Sequence, residues 1–456
     1  MDERSRQLSE EKVWKLLFRF SLPAIVGMVV NALYNVVDRI FIGQGVGSEA
    51  LAGITIGFPI MLVLMALGML VGVGGAALVS IKLGEQKKNE AELILGNSVL
   101  LLIGVTLLVS VVGLIFLDSI LVQFGASAEV LPYAREYLRI ILAGAIFQAI
   151  GFGMNNFIRA EGNPNIAMKT MLIGAVVNII LDPLFIFVFG WGIRGAAYAT
   201  IIAQAVSSIW VLAYFLRQKS LLRISLENMK LNIPIIKRIV AIGSAPCAMQ
   251  IGSSVVIIIF NKQLSIYGGD IAISALGILH SITMFVLMPI IGINQGSQPI
   301  IGYNYGAKRY DRVKDTLKSS IFAATGIVII GFIITRIYPH SLIYLFNKDD
   351  AELLRIGTEG IKIFLLALPI IGFQIVGANY FMAVGKPKKS MFLSLSRQVI
   401  VLIPMLLILP RYYGLFGIWL AVPVSDTIAF VLTAVFLIKE VKQLNHDNDR
   451  EIRPQE

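Results

Sequence analysis

Apolar stretches long enough to cross a lipid bilayer follow one another along this chain, separated by short polar segments. Leu93 to Leu117, Met168 to Phe189, Ile321 to Thr335 and Leu415 to Ile438 are nearly uninterrupted. Most approach the ~20 residues a helix needs to span hydrocarbon. With 57% hydrophobic and 15% charged residues, the chain has more apolar side chain than a water-soluble domain buries, so lipid is its solvent. The one cysteine, Cys247, falls inside an apolar stretch and excludes an intramolecular disulfide.

Twelve spans are expected, at about 16–42, 50–80, 93–117, 131–158, 168–189, 196–216, 238–266, 272–302, 316–337, 352–383, 390–410 and 415–438. The formal charge of +11 does not point to nucleic acid, because the basic residues sit in short loops rather than on one folded face. Lys82, Lys87 and Lys88 follow the second span, Arg217, Lys219, Arg223 and Lys230 the sixth, Lys308, Arg309, Arg312 and Lys314 the eighth, and Lys439 the twelfth. Loops after odd spans are poorer: Gly43 to Glu49 and Asp118 to Val130 have no Lys or Arg, and Arg194, Lys348 and Arg411 are scattered singly. The bias places both termini in the cytoplasm, with the polar Met1 to Lys15 as a lead-in and not a cleaved signal. The expected location is the cytoplasmic (inner) membrane of a prokaryote.

The chain repeats itself at a shift of 222 or 223 positions. Ala160-Glu161-Gly162-Asn163-Pro164 recurs as Ala383-Val384-Gly385-Lys386-Pro387, and Ser21-Leu22-Pro23 as Ser244-Ala245-Pro246. Ala128-Glu129-Val130-Leu131 matches Ala351-Glu352-Leu353-Leu354, and Gly192 with Gly195 matches Gly414 with Gly417. Six spans per copy is an even number, so both copies enter from the same side, related by an axis along the membrane normal. The expected fold is an all-α membrane protein of twelve helices in two pseudo-twofold related six-helix bundles around a central cavity. The expected organisation is an N-terminal lobe at 1–216, a cytoplasmic linker at 217–237, a C-terminal lobe at 238–440 and a polar tail at 441–456. Paired bundles of this kind suit a transporter that rocks around its cavity, and an anchor has no need of them.

Ionisable side chains inside spans are costly enough to be functional candidates. Here they are Asp38, Asp182, Arg397 and Asp426. The topology puts Asp38, Asp182 and Thr200 at similar depth, roughly 6–12 Å below the outer surface at ~1.5 Å per residue. Asn178 lies on the same helix face as Asp182, one turn deeper. Two carboxylates, an amide and a hydroxyl converging in low dielectric make a site for a proton or a small hard cation, and oxygen ligation does not choose between H+ and Na+. The bland alternative pairs Asp38 with Arg39 and leaves Asp182 as a local cap before Pro183. Arg397 and Asp426, on adjacent spans, are expected to form a structural ion pair, with substrate recognition or gating as the rival role.

Tyr34-Asn35-Val36-Val37-Asp38-Arg39-Ile40-Phe41-Ile42-Gly43, Asn178-Ile179-Ile180-Leu181-Asp182-Pro183-Leu184-Phe185 and Arg159-Ala160-Glu161-Gly162-Asn163-Pro164 resemble motifs of the multidrug and toxic compound extrusion (MATE) family, in particular its DinF-like and MepA-like members. The resemblance implies a cation site at Asp38, Asn178, Asp182, Thr200 and Tyr137, with Asn155 in the same network, and a bend at Pro23. It implies antiport of organic, often cationic, compounds out of the cell against H+ or Na+. NorM-like members carry acidic residues in spans seven and ten, where this chain has Gln250, Gln374 and Asn379, so coupling is expected in the first lobe.

Asn31, Tyr34, Met61, Met171 and Gln204 are candidates to line a substrate cavity there, methionines suiting varied apolar ligands. Gly68, Gly72, Gly74 and Gly75 lack the Lys-Ser/Thr ending of a phosphate loop and read as close helix packing. No His-Glu-x-x-His, paired-Cys or Gly-x-Ser-x-Gly pattern occurs, so no enzyme is expected. No cofactor beyond the coupling ion is expected either. The expected partners are drug-like small molecules and the bilayer, with the chain acting as a monomer. The rival function, a lipid-linked oligosaccharide flippase of the same architecture, predicts more cavity cations than the single candidate Arg397.

Overall fold

The computed structural model describes residues 3–124, 126–217, 220–346 and 350–452, and these contain helices and no strand. Lys219 and Lys348, and the last four residues of the expected tail, lie outside them. Helices are the only open-chain solution to spanning lipid, because each satisfies its own backbone polar groups. In the first half these are α1 (Val13–Gly45), α2 (Ser48–Gly84), α3 (Lys88–Ile115), α4 (Leu131–Ala160), α5 (Pro164–Pro183, continued by a π-helical turn Leu184–Val188) and α6 (Gly192–Leu216). In the second, α7 (Ile233–Gly269), α8 (Ile271–Gly306) and α9 (Tyr310–Ile337) are followed by a broken α10. Its parts, Ala351–Phe364 and Leu368–Ala383, bend by 53° just before Pro369, whose ring and missing N–H interrupt the ladder. α11 and α12 run as Pro387–Asn445, parted at Gly414, where φ is 55°. This is a multi-pass membrane protein with the twelve-helix architecture expected.

The repeat is written in the backbone as well as in the letters. Positive φ occurs at Gly47 and Gly269, Gln86 and Lys308, Gly162 and Gly385, and Gly192 and Gly414, each pair separated by 222 or 223 positions. Two non-glycine residues holding the same disfavoured conformation at the same shift are hard to ascribe to chance similarity between apolar helices. The recurrent Gly-x-Pro divides its labour in the same way twice: glycine turns the chain, and the proline occupies the first turn of the next helix, where its missing N–H costs nothing.

The compact units do not divide at the linker. One comprises residues 1–10 and 22–247, the other 11–21 and 248–456. Glycine packing explains the displaced boundary within each unit. A Cβ on Gly74 would lie 2.3 Å from the Ile239 carbonyl oxygen, and one on Gly243 only 1.7 Å from that of Leu70, so α2 and the start of α7 touch backbone to backbone. In the other unit, a Cβ on Gly296 would stand 2.7 Å from the Ser21 nitrogen, so α8 and the start of α1 repeat this contact. Gly72 and Gly75 admit Gly153 and Phe157 of α4 in the same way. Close approach of small residues is a main source of helix association where lipid removes the hydrophobic drive. Gly243→Ala is expected to lower thermal stability in detergent by about 2–3 kcal/mol, and an unchanged melting transition would contradict this packing.

The linker is fastened to its own unit. Glu161, fully buried, accepts bonds from the Tyr214 hydroxyl, the Ser220 hydroxyl and the backbone N–H groups of Leu221 (3.0 Å) and Leu222 (3.4 Å). Further along, Glu92 accepts from the Arg223 backbone, and Asn97 accepts from Asn232 N–H at 2.8 Å while donating to the Lys230 carbonyl. In the second lobe the corresponding clasp is reversed: buried Glu440, in the last turns of α12, takes Lys386 just before α11 and Lys389 in its first turn. Glu161→Ala is expected to cost about 1–3 kcal/mol, because four donors lose a charged acceptor. It should also speed proteolysis between residues 217 and 232; a linker as protected as in wild type would show that other contacts suffice.

Candidate acidic site of the first lobe

Asp182 sits at the last turn of α5, fully buried, and Pro183 follows it. Proline removes a ladder bond, and the helix widens immediately into the π-helical turn, sealed by Phe189 N–H donating to the Leu184 carbonyl at 2.9 Å. Asn178, one turn earlier on the same face, donates through Nδ2 to Asp182 Oδ1 at 3.2 Å. α1 and α5 run parallel, and their register brings Asp38 to this point. Met171 Sδ lies 2.7 Å from where a Cβ of Gly27 would be, and eleven residues, three turns, separate Gly27 from Asp38 and Met171 from Asp182 alike.

The two carboxyl groups are side-chain partners of each other. Asp38 Oδ1, Asp182 Oδ2 and Asn178 Oδ1 are buried and have no hydrogen-bond donor among the described residues. Tyr137 of α4, 2% exposed, is paired with the side chain of Thr200 of α6 and lies close to Asp38 and Asp182. Tyr137 belongs to an apolar cluster with Ile42, Leu138, Ile186, Ile193, Ala196 and Ala197. Small residues let α6 approach α4, and the surrounding hydrocarbon keeps the dielectric low around the acids. No ion pair joins Asp38 to Arg39 among the described residues; the Arg39 guanidinium lies 5.7 Å from the centroid of the Phe58 ring. Three such acceptor oxygens, two of them from the carboxyl pair itself, suit a proton shared by the acids or a small cation taking several oxygens at once.

The expected network is corrected at one residue. Asn155 is buried, its Oδ1 without a partner among the described residues, but it lies eighteen residues along the unbroken α4 from Tyr137, roughly 27 Å at the helical rise, and so at the other end of the span. Helical spacing puts Asn31, Tyr34 and Asp38 on one face of α1 and Met171, Asn178 and Asp182 on one face of α5. Gln204 is one turn past Thr200, and Met61 packs against the apolar cluster. Pro23 lies within α1, one turn before Gly27. Glu161 escaped notice as a buried group, and the signal that could have found it is Val384 at its repeat position: the turn itself needs no acid.

Among the described residues the spans of the second lobe hold no counterpart of the carboxyl pair. Gln374 donates to the Leu393 carbonyl at 3.5 Å and Asn379 to that of Asn294 at 3.4 Å. The acid there, Asp426, is held by Arg397, whose Nε donates to Oδ1 at 2.6 Å. Among the described residues no group of three or more His, Cys, Asp or Glu side chains is placed to hold a metal ion.

The MatE family model matches residues 23–184 and 246–408. The chain is 29% identical over 441 residues to the multidrug export protein MepA of Staphylococcus haemolyticus, covering 97% of this chain and 96% of that protein. It is 28% identical to MepA of Staphylococcus aureus, covering 96% and 97%. Among solved structures, it is similar to an outward-facing multidrug resistance MATE family transporter of the MOP superfamily, with a TM-score of 0.92, 25% identity, and 97% and 99% of the two chains covered. A MOP superfamily transporter from Pyrococcus furiosus gives a TM-score of 0.91 at 25% identity, covering 98% and 99%.

Proposed function

The chain belongs to the MATE family, and from that premise we propose that it is a multidrug exporter that moves organic, often cationic, compounds out of the cell in exchange for H+ or Na+ by alternating access. The observation that carries the coupling is the pair Asp38 and Asp182 with Asn178, each with one buried acceptor oxygen that has no donor among the described residues. An inward-moving cation binds there when the site opens outward, and drug departs. With their charge neutralised, the acids no longer oppose closure, and the protein returns. Coupling requires that cation and drug prefer different states, since a ligand without such a preference shifts nothing. The loops rich in Lys and Arg support a setting in the inner membrane with both termini cytoplasmic.

The deciding experiment uses the purified chain in proteoliposomes with a fluorescent organic cation. Dye movement against its own gradient is expected only when a pH or a sodium gradient is imposed, and each ion alone identifies the coupling cation. Equilibration without regard to either gradient would leave a passive channel. Activity confined to lipid-linked sugars would favour the flippase.

A further inference from the structure

We infer that Arg397, with Asp426 sealed behind it, is a recognition subsite in the second lobe for the carboxylate of an organic substrate. The inference rests on the reading of the chain as a transporter of drug-like compounds, and it names a second class of them, acids and zwitterions.

Arg397 lies ten residues after Pro387, ~15 Å into the α11 span at the helical rise, too deep to serve a lipid headgroup. It stands in the second π-helical turn of the chain, Ser396–Val401, a distortion that often marks function. α12 grips it at two points: the Ser425 hydroxyl donates to the Arg397 carbonyl, and Asp426 takes Nε. Ser253 of α7 donates to the neighbouring Gln398 side chain at 3.2 Å.

The pair is asymmetric, and the asymmetry carries the argument. Asp426 is 3% exposed, whereas the Arg397 side chain is 20% exposed, and among the described residues its two terminal nitrogens donate to no acceptor. A purely structural pair satisfies the cation as it hides the anion. This one hides the anion and leaves the planar edge of the guanidinium open. Charges in spans face protein or a polar space and avoid lipid. Held in orientation by Asp426, two parallel N–H groups match the geometry of a carboxylate.

The test measures equilibrium binding to the purified full chain by fluorescence polarisation, without any gradient, using a xanthene dye with a free carboxyl group and its ethyl ester. In the double variant Arg397→Gln/Asp426→Asn, which removes both charges at nearly constant volume, affinity for the acid should fall roughly 10- to 100-fold, the worth of a charge-assisted pair. Affinity for the ester should stay within about twofold. Equal losses for both dyes, or none for the acid, would overturn the subsite and leave the export reading standing. A wild type that did not bind the acid would also overturn the subsite, while the export reading is decided by the gradient-driven transport of the proteoliposome assay. Should that double variant not elute as a folded protein, Arg397→Met/Asp426→Leu takes its place with the same expected loss for the acid alone, and unchanged acid affinity refutes the proposal.

Discussion

Asp38→Asn is expected to abolish coupled efflux, lowering the initial rate on the order of 100-fold or more, while the protein still inserts and elutes as wild type. Asparagine keeps the size of the side chain and loses the negative charge, so the cation no longer distinguishes one conformation from the other and drives nothing. Folding should not suffer, because a buried charge without a protein cation is costly and its removal relieves that cost. Stability should therefore hold or rise as transport disappears, a combination that general damage does not produce. The measurement is dye efflux from proteoliposomes under an imposed gradient, beside thermal unfolding in detergent. Wild-type efflux in this variant would remove Asp38 from the mechanism.

The parts of this site that could be read from the sequence are those that follow from helical arithmetic. Asn178 and Asp182 are four apart and must share a face. Parallel helices of known entry side place Asp38 beside Asp182 once the loops are assigned. The same arithmetic, applied along α4, shows that Asn155 cannot join Tyr137: eighteen residues of continuous helix separate them. The resemblance to relatives had grouped them nonetheless. Helical periodicity says nothing about Glu161, three of whose four donors lie in an irregular linker some sixty residues on. It is equally silent on the division of the units at residues 21 and 247. That division depends on which glycine meets which backbone, as at Gly243 and Leu70, and apolar composition looks the same on every face of a membrane helix. The π-helical turns at Leu184–Val188 and Ser396–Val401 were hidden for a related reason. Only the first has a local cause in the sequence, Pro183, and the second arises where α12 takes the main chain of Arg397.

Arg397→Met is expected to destabilise the protein by about 3–5 kcal/mol, because it strands Asp426 in a place where neither water nor another cation reaches it. The guanidinium is the only cation the described structure pairs with that acid, and Asp426 Oδ2 already lacks a donor, so nothing nearby takes over. Methionine fills much of the arginine volume, which keeps loss of packing from explaining the result. Restoring the balance should restore the fold: Arg397→Met/Asp426→Leu removes both charges and is expected to recover most of the lost stability, since a buried pair contributes little over well-packed apolar residues. The comparison separates two meanings of the same ion pair. A single variant as stable as wild type would mean that Asp426 does not depend on Arg397, and the orientation of the guanidinium would need another source. A double variant that is stable yet blind to the carboxylate dye would show that evolution placed two charges in the second lobe for recognition, because an apolar pair serves the fold equally well.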